Sequence, residues 1–205
     1  MHDVLEKISE FIRARYPLIY LLTHEEDRVE RAIQGLCKKD AMRLLRWRST
    51  EGLKEGKSSL QSERPTQDPI EALSYIHNHV DGPGIFLFED LHAHLDNAQL
   101  WRAIRDQVEN LGKRKQAIVV VAPSLTIPAE LEKDIMVLDV PLPNRKEVGR
   151  ILDILTKSQK IEMEDSLREA FVRTSLGLCE REVKRAYAHI LASGGRFEES
   201  DLARL

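Results

Sequence analysis

Apolar residues recur along the chain at two periods, and the order in which those periods alternate is the first structural signal. From Asp3 to Ala14, residues Val4, Leu5, Ile8, Phe11 and Ile12 fall on one helical face. Pro17 ends that helix. Pro17 to Leu22 (PLIYLL) is then apolar without a break, the pattern of a strand covered on both faces in a parallel sheet. A second helix is predicted from Glu25 to Lys38, with Val29, Ala32, Ile33 and Leu36 inward. Met42 to Arg48 (MRLLRWR) predicts a further strand, and Arg43, Arg46 and Arg48 suggest a solvated edge. Gly52 to Gln67 (GLKEGKSSLQSERPTQ) has loop composition and is expected to be mobile.

Asp68-Pro69 opens the next helix, with a capping carboxylate and proline at the first helical position. Gly82-Pro83-Gly84 turns the chain into the apolar strand GIFLFED. A helix from Asn97 to Leu111 precedes the strand Gln116 to Ala122 (QAIVVVA), and Met136 to Val140 is a further short strand. Strands alternating with helices predict an α/β fold, a parallel sheet with helices on both faces. After Pro141-Leu142-Pro143 only helical periodicity remains, over 144–157, 165–175 and 180–192. The expected organisation is an α/β core over 1–143 and a small all-helical lid over 144–205. Ile151, Leu152 and Leu155 are expected to dock that lid on the core.

Composition narrows the function classes. The chain has 205 residues, 42% hydrophobic and 32% charged, with a formal net charge of -3. An electrostatically driven nucleic-acid binder is expected to be basic, which disfavours that class. Cys37 and Cys179 lie far apart with no partner at metal or redox spacing, and read as reduced thiols. The N-terminus MHDVLEKISEFIRARY is too charged for a signal peptide, and no apolar run reaches about 18 residues. A soluble, cytoplasmic protein with no membrane partner is the expectation.

Candidate chemistry begins with GIFLFED, where four apolar residues run into Glu89 and Asp90 as in a Walker B strand. Such a strand needs a phosphate-binding loop, GxxxxGK followed by Ser or Thr, whose backbone N–H groups surround the phosphates. Here the first strand leads from Leu22 straight into THEEDRVERAI, with no glycine, no Lys-Thr pair and no room for the loop. No GxxxxGK occurs elsewhere. Glu25, Glu26 and Asp27 occupy the positive end of the helix dipole, where each carboxylate stabilises the helix by about 0.3–1 kcal/mol and repels a triphosphate. Neither ATP nor magnesium is therefore expected as a cofactor.

Several side chains carry two readings. His92 and His94, with the two carboxylates, are metal-ligand candidates or a solvated loop pair. His24 beside Glu25 and Glu26 suggests acid–base chemistry or, more simply, helix capping. Ser124 has no neighbouring His or Asp to make it a nucleophile. The arginines of ARYP and MRLLRWR (Arg15, Arg43, Arg46 and Arg48), with Trp47 among them, form a basic-aromatic group suited to single-stranded nucleic acid, or an edge strand in solvent. Arg181, Lys184 and Arg185 share one helical face and suit glutamates or a partner protein.

The motif order resembles an AAA+ ATPase module over nearly the whole chain, and IPAEL followed by VPLPNR is its most specific part. More narrowly, RARYPLIYLLTHEEDRVERAI, RWRSTEGL and IPAELEKDIMVLDVPLP resemble the N-terminal half of the hypothetical-chloroplast-reading-frame AAA proteins of plastids and cyanobacteria. In that family a degenerate AAA-like module precedes an intact one. The resemblance implies that Glu89 stands for the magnesium-binding Walker B aspartate and Asp90 for the water-activating glutamate, in reversed order. It places Ser124 at the sensor-one position and Arg181 or Arg185 at sensor two. The arginine finger expected just before Glu132-Lys133-Asp134 is missing. The implied function is a catalytically inactive module that partners an intact AAA ATPase module, in cis, in trans or by self-assembly, in the cytoplasm or plastid stroma. An ATPase with a non-standard phosphate loop and a nucleic-acid-associated module are the alternatives.

Overall fold

The continuous apolar runs form the middle of a sheet. A computed structural model describes residues 1–56, 58–60, 65–194 and 196–205. Its strands are β1 (Leu18–Leu22), β2 (Arg43–Arg48), β3 (Gly52–Glu55), β4 (Ser58–Ser59), β5 (Gly84–Glu89), β6 (Gln116–Ala122) and β7 (Ile135–Asp139). Among the described residues they lie in the order β4-β3-β2-β5-β6-β1-β7. Five of them, from β2 to β7 in that order, run parallel, while the hairpin β3–β4 adds an antiparallel edge.

Helices cover both faces of this sheet, because alternate side chains of each strand point to opposite sides. Leu18, Tyr20, Phe86, Phe88, Ile118 and Val120 pack with Leu73, Ile76, Leu100 and Ile104 of α3 (Pro69–His79) and α4 (Ala98–Lys113). Ile19, Leu21, Ile85, Leu87, Val119 and Val121 face the other way. They meet Val4, Ile8 and Ile12 of α1 (His2–Arg13) and Val29 and Ile33 of α2 (Glu26–Lys39). Asp68 caps α3 as its sequence implies, accepting from the Ile70 and Glu71 N–H groups at 2.7 and 3.4 Å.

Two expectations are corrected. β2 is not an edge: it pairs with β5 on one side and β3 on the other. Its arginines are tolerated there because each is matched by a carboxylate. Arg43 makes a two-pronged bond to Glu55 at 2.9 and 2.8 Å, and Arg46 reaches Glu51 at 2.7 Å. The segment 52–67, expected to be a loop, begins with the β3–β4 hairpin. Thr66 ties its far end down, accepting the Trp47 indole N–H on its carbonyl at 2.7 Å and the Leu53 N–H on its hydroxyl at 3.0 Å. The expected mobility falls in part on residues 57 and 61–64, outside the described residues.

The chain divides into two compact units, Met1–Val140 and Pro141–Leu205. The second holds α5 (Arg145–Gln159), α6 (Asp165–Thr174) and α7 (Glu180–Gly194). Asn144 and Glu147 close a reciprocal capping box at the start of α5, at 3.1 and 3.0 Å. Phe171, Tyr187 and Phe197 meet edge to face at the centre of this unit. Ile151, Leu152 and Leu155 belong to the same cluster. Their apolar side chains contribute to the core of the second unit. Among the described residues no helix is long and apolar enough to cross a membrane.

Candidate functional site

β1 and β5 flank β6 in parallel, so their carboxyl ends emerge side by side. The Thr23 N–H donates to the Ala122 carbonyl at 2.9 Å, and the Asp90 N–H donates to that of Val121 at 3.1 Å. Ligands of open α/β sheets bind beyond the carboxyl ends of the strands, where the strand order switches direction. That switch lies at β1, because the chain leaves β1 for β2 on one side and later adds β7 on the other.

Three residues, 23–25, join β1 to α2. Within this short turn the Thr23 hydroxyl accepts the Glu25 N–H at 3.0 Å. Glu25, 7% exposed, forms an ion pair with Arg28, itself 6% exposed. Glu25 stands at the N-cap of α2 but makes no side-chain capping hydrogen bond, so the ion pair, not capping, accounts for its burial. His24 is exposed. The residues do not fit a nucleoside triphosphate: no glycine opens a cradle, the turn is filled by an ion pair, and the helix opens with carboxylates.

Glu89 ends β5 and is 2% exposed. The register that sets Trp47 beside Phe88 brings Arg48 next to Glu89, and the Arg48 guanidinium donates to Glu89 Oε2. Glu30 lies 3.8 Å from the same guanidinium. Burial pushes the Glu89 carboxyl above the ordinary carboxylate range, against the opposing pull of Arg48. Its second oxygen, Oε1, is buried without a hydrogen-bond partner. Asp90 takes a left-handed backbone conformation, φ 57°, and turns into solvent, with His92 Nδ1 at 3.8 Å. The two adjacent carboxylates thus differ: Glu89 is held inside by Arg48 and Asp90 is exposed.

Glu26, half-buried at the start of α2, completes the edge. Burial raises its pKa first, and repulsion from Asp90 and Glu89 raises it further. Ser124 is exposed, and the group it contributes is its carbonyl, which accepts the Tyr20 hydroxyl at 2.5 Å and fixes the chain after β6. The sequence did not single out Arg28 or Tyr20 for the site, and it pointed to Arg48 only as one of three arginines on a supposed edge strand.

Other candidates are placed elsewhere. His94 packs its ring edge-on against Trp47, 5.7 Å between centroids, and among the described residues no three His, Cys, Asp or Glu side chains are grouped to hold a metal. Trp47 is fully buried and the arginines beside it are ion-paired, which overturns the basic-aromatic surface. Burial pushes the Cys37 thiol up to about 12, so it is not a thiolate at neutral pH. Of the stretch 132–134, Glu132 and Lys133 are exposed and Asp134 lies 3.9 Å from Arg105. Arg181 and Arg185 are exposed on α7, in the second unit, where Lys184 pairs with Glu180.

Comparison with known proteins matches this fold in sequence and in shape. AAA domain-containing protein ycf46 of Guillardia theta is 29% identical over 184 residues, which is 89% of this chain and 36% of that protein. Its counterpart in Trieres chinensis is 28% identical over 202 residues, 98% of this chain and 40% of that protein. The chain thus spans well under half the length of these relatives. Among solved structures, a chain of the E. coli MS115-1 HORMA:CdnC:Trip13 complex superposes with a TM-score of 0.61 at 12% identity, over 93% of this chain and 81% of that one. A RuvB mutant of Thermotoga maritima superposes with a TM-score of 0.58 at 12% identity, over the whole of this chain and 68% of that one. Residues 4–140 match the profile of the SpoVK-like AAA ATPase N-terminal domain, and residues 145–205 match that of the second domain. With both profiles matched in order, the chain belongs to the SpoVK-like AAA ATPase family.

Proposed function

We propose that this AAA+ module does not bind or hydrolyse ATP and instead acts as an assembly or regulatory partner of an intact AAA ATPase module, in cis or in trans. One observation carries the reading: the turn between β1 and α2 is three residues long and is filled by the Glu25–Arg28 ion pair. A phosphate loop in that place must present several unoccupied N–H groups to an anion. Here the Glu25 N–H is taken by Thr23, and Glu26 and Asp27 set negative charge at the start of the helix, where the phosphates would lie. The pairing of Glu89 with Arg48 supports the same reading, since it uses the Walker B position for a contact inside the protein.

Arg181 and Arg185, matched to sensor two only by their place on the last long helix, then serve a protein interface in place of a phosphate. Titrating the chain with ATP and magnesium tests the first half. A ligand present at about 1,000 times its dissociation constant adds about 4 kcal/mol of stability, so an unchanged melting temperature in millimolar nucleotide is the expected result. A clear rise that Glu89→Gln abolishes overturns it. The second half is tested by co-purification with an intact AAA module, which wild type should retain and Arg181→Glu/Arg185→Glu should weaken.

A further inference from the structure

We infer that the groove between α1 and α2 is a self-association surface, across which α1 of a second copy lies antiparallel about a two-fold axis. α1 ends just before β1 and α2 just before β2, and those strands run parallel to β5 and β6. Both helices therefore finish at the amino edge of the sheet and run the same way. They share one face of the sheet through Val4, Ile8, Val29 and Ile33, and between their outer sides they leave a groove of about 530 Å³. Leu5 of α1 and Ala32 and Leu36 of α2 line it. Gly35 keeps it open, since a Cβ built there meets nothing within 4 Å. Glycine weakens a helix interior relative to alanine, and neither a positive φ nor a close contact within the chain requires it at this position. The close approach of another helix does.

Charge is divided along this groove, and the division selects the occupant. Toward the amino edge lie Arg13 and Lys39, and Asp40 beside them leaves that end net positive. Glu10 and Glu6 follow about one and two turns back on α1, with His2 beyond them. Among the described residues Glu10, Arg13, Lys39 and Asp40 make no ion pair, and Glu6 meets only the His2 ring, at 3.5 Å. Glu6 and Glu10 stand four apart on one helical face, where like charges repel. A two-fold axis across the groove exchanges its ends, so Glu6 and Glu10 of each copy face Arg13 and Lys39 of the other. A parallel arrangement would set acid on acid. Ser9, Ala32 and Gly35 keep the side chains small where the helices cross, which sets how near two helix axes can come. Glu6, Glu10, Arg13 and Lys39 are all exposed, so the association is moderate in strength and sensitive to salt. This surface is separate from the carboxyl edge that holds Glu89 and Asp90, and it does not depend on whether the chain binds nucleotide.

Sedimentation velocity of the full chain, from micromolar to near-millimolar concentration and without nucleotide, tests this. A dimer whose share rises with concentration and falls with added salt is expected. Glu6→Lys/Glu10→Lys makes both ends of the groove basic, and Arg13→Glu/Lys39→Glu makes both acidic. Each variant alone should self-associate at least about tenfold more weakly than wild type. An equimolar mixture of the two should recover a dimer containing one chain of each, because unlike ends then meet again; a role of these side chains within the monomer predicts no such recovery. Gly35→Gln supplies an independent arm if a charge variant does not fold. Its side chain enters open space and glutamine is the better helix former, so the melting temperature should rise while the dimer weakens. A chain that stays monomeric at the highest concentration overturns the inference. So does a dimer that none of these variants weakens, or a pair of folded charge variants that does not associate on mixing.

Discussion

Glu26 and Glu89 hold the pH response of the candidate site. Both carboxyls are raised above their ordinary value in the folded chain, first by burial; neighbouring carboxylates add to the rise at Glu26, and Arg48 opposes it at Glu89. A carboxyl whose folded pKa is raised binds its proton more tightly in the native state. Its stabilising contribution is present in full below the unfolded value, about 4.3, and is lost as pH rises through the folded value. Glu26→Gln, which imitates the protonated form, is therefore expected to raise the melting temperature at pH 7 and to lose that advantage near pH 4. A gain of equal size at both values would mean that charge is not the cause. The Arg48–Glu89 pair gives the opposite signature to mutation. Arg48→Met leaves a buried carboxylate uncompensated and is expected to cost about 3 kcal/mol, while Arg48→Met/Glu89→Met should recover most of it. Chemical denaturation of the two single variants and the double variant measures the coupling directly.

Elements whose environment is written in their own residues were legible, and those defined by distant partners were not. β1, β5 and β6 are unbroken apolar runs because both faces are covered, so PLIYLL, GIFLFE and QAIVVV read as strands without knowledge of the sheet. The same holds for the cap at Asp68, which is complete within four residues. β2 was misread as an edge because Arg43, Arg46 and Arg48 look solvated until Glu55, Glu51 and Glu89 are brought opposite them. The positions of Glu89 and Asp90 were legible as a strand end, but their split into one buried and one exposed carboxylate depends on the sheet order and on the left-handed turn at Asp90. The β3–β4 hairpin escaped because Leu53 is its one apolar core residue and β4 is two exposed serines, while its anchor, Thr66, lies beyond the hairpin itself. That anchor makes Gly52 testable. Gly52 has φ 72°, and a Cβ there would stand 2.4 Å from the Thr66 hydroxyl and 3.1 Å from its backbone. Gly52→Ala is expected to destabilise by about 2 kcal/mol through backbone strain and displacement of Thr66, with Trp47 fluorescence changing as its indole loses the Thr66 carbonyl. An unaffected spectrum would show that the anchor yields without disturbing β2.

At the scale of the whole molecule, the two units differ in how their cores are made. Residues 1–140 supply two apolar clusters, one on each face of the sheet, whereas residues 141–205 supply one cluster among short helices. A domain of about 60 residues buries only about 60% of the surface its unfolded chain exposes, so the lid has the smaller margin. Its core depends on few side chains. Phe171 touches both Tyr187 and Phe197, and the Tyr187 hydroxyl shares a buried hydrogen bond with Ser175 at 2.8 Å. Phe171→Ala is expected to cost the lid about 3–5 kcal/mol, through lost burial and the cavity left among those rings. The readouts can be separated because both tryptophans of the chain, Trp47 and Trp101, belong to the first unit. Circular dichroism of Phe171→Ala should therefore show part of the helical signal melting at a lower temperature, while the tryptophan transition stays at its wild-type position. If the tryptophan transition falls with it by the same amount, the chain unfolds as one cooperative body and the separate cores are not separate in energy.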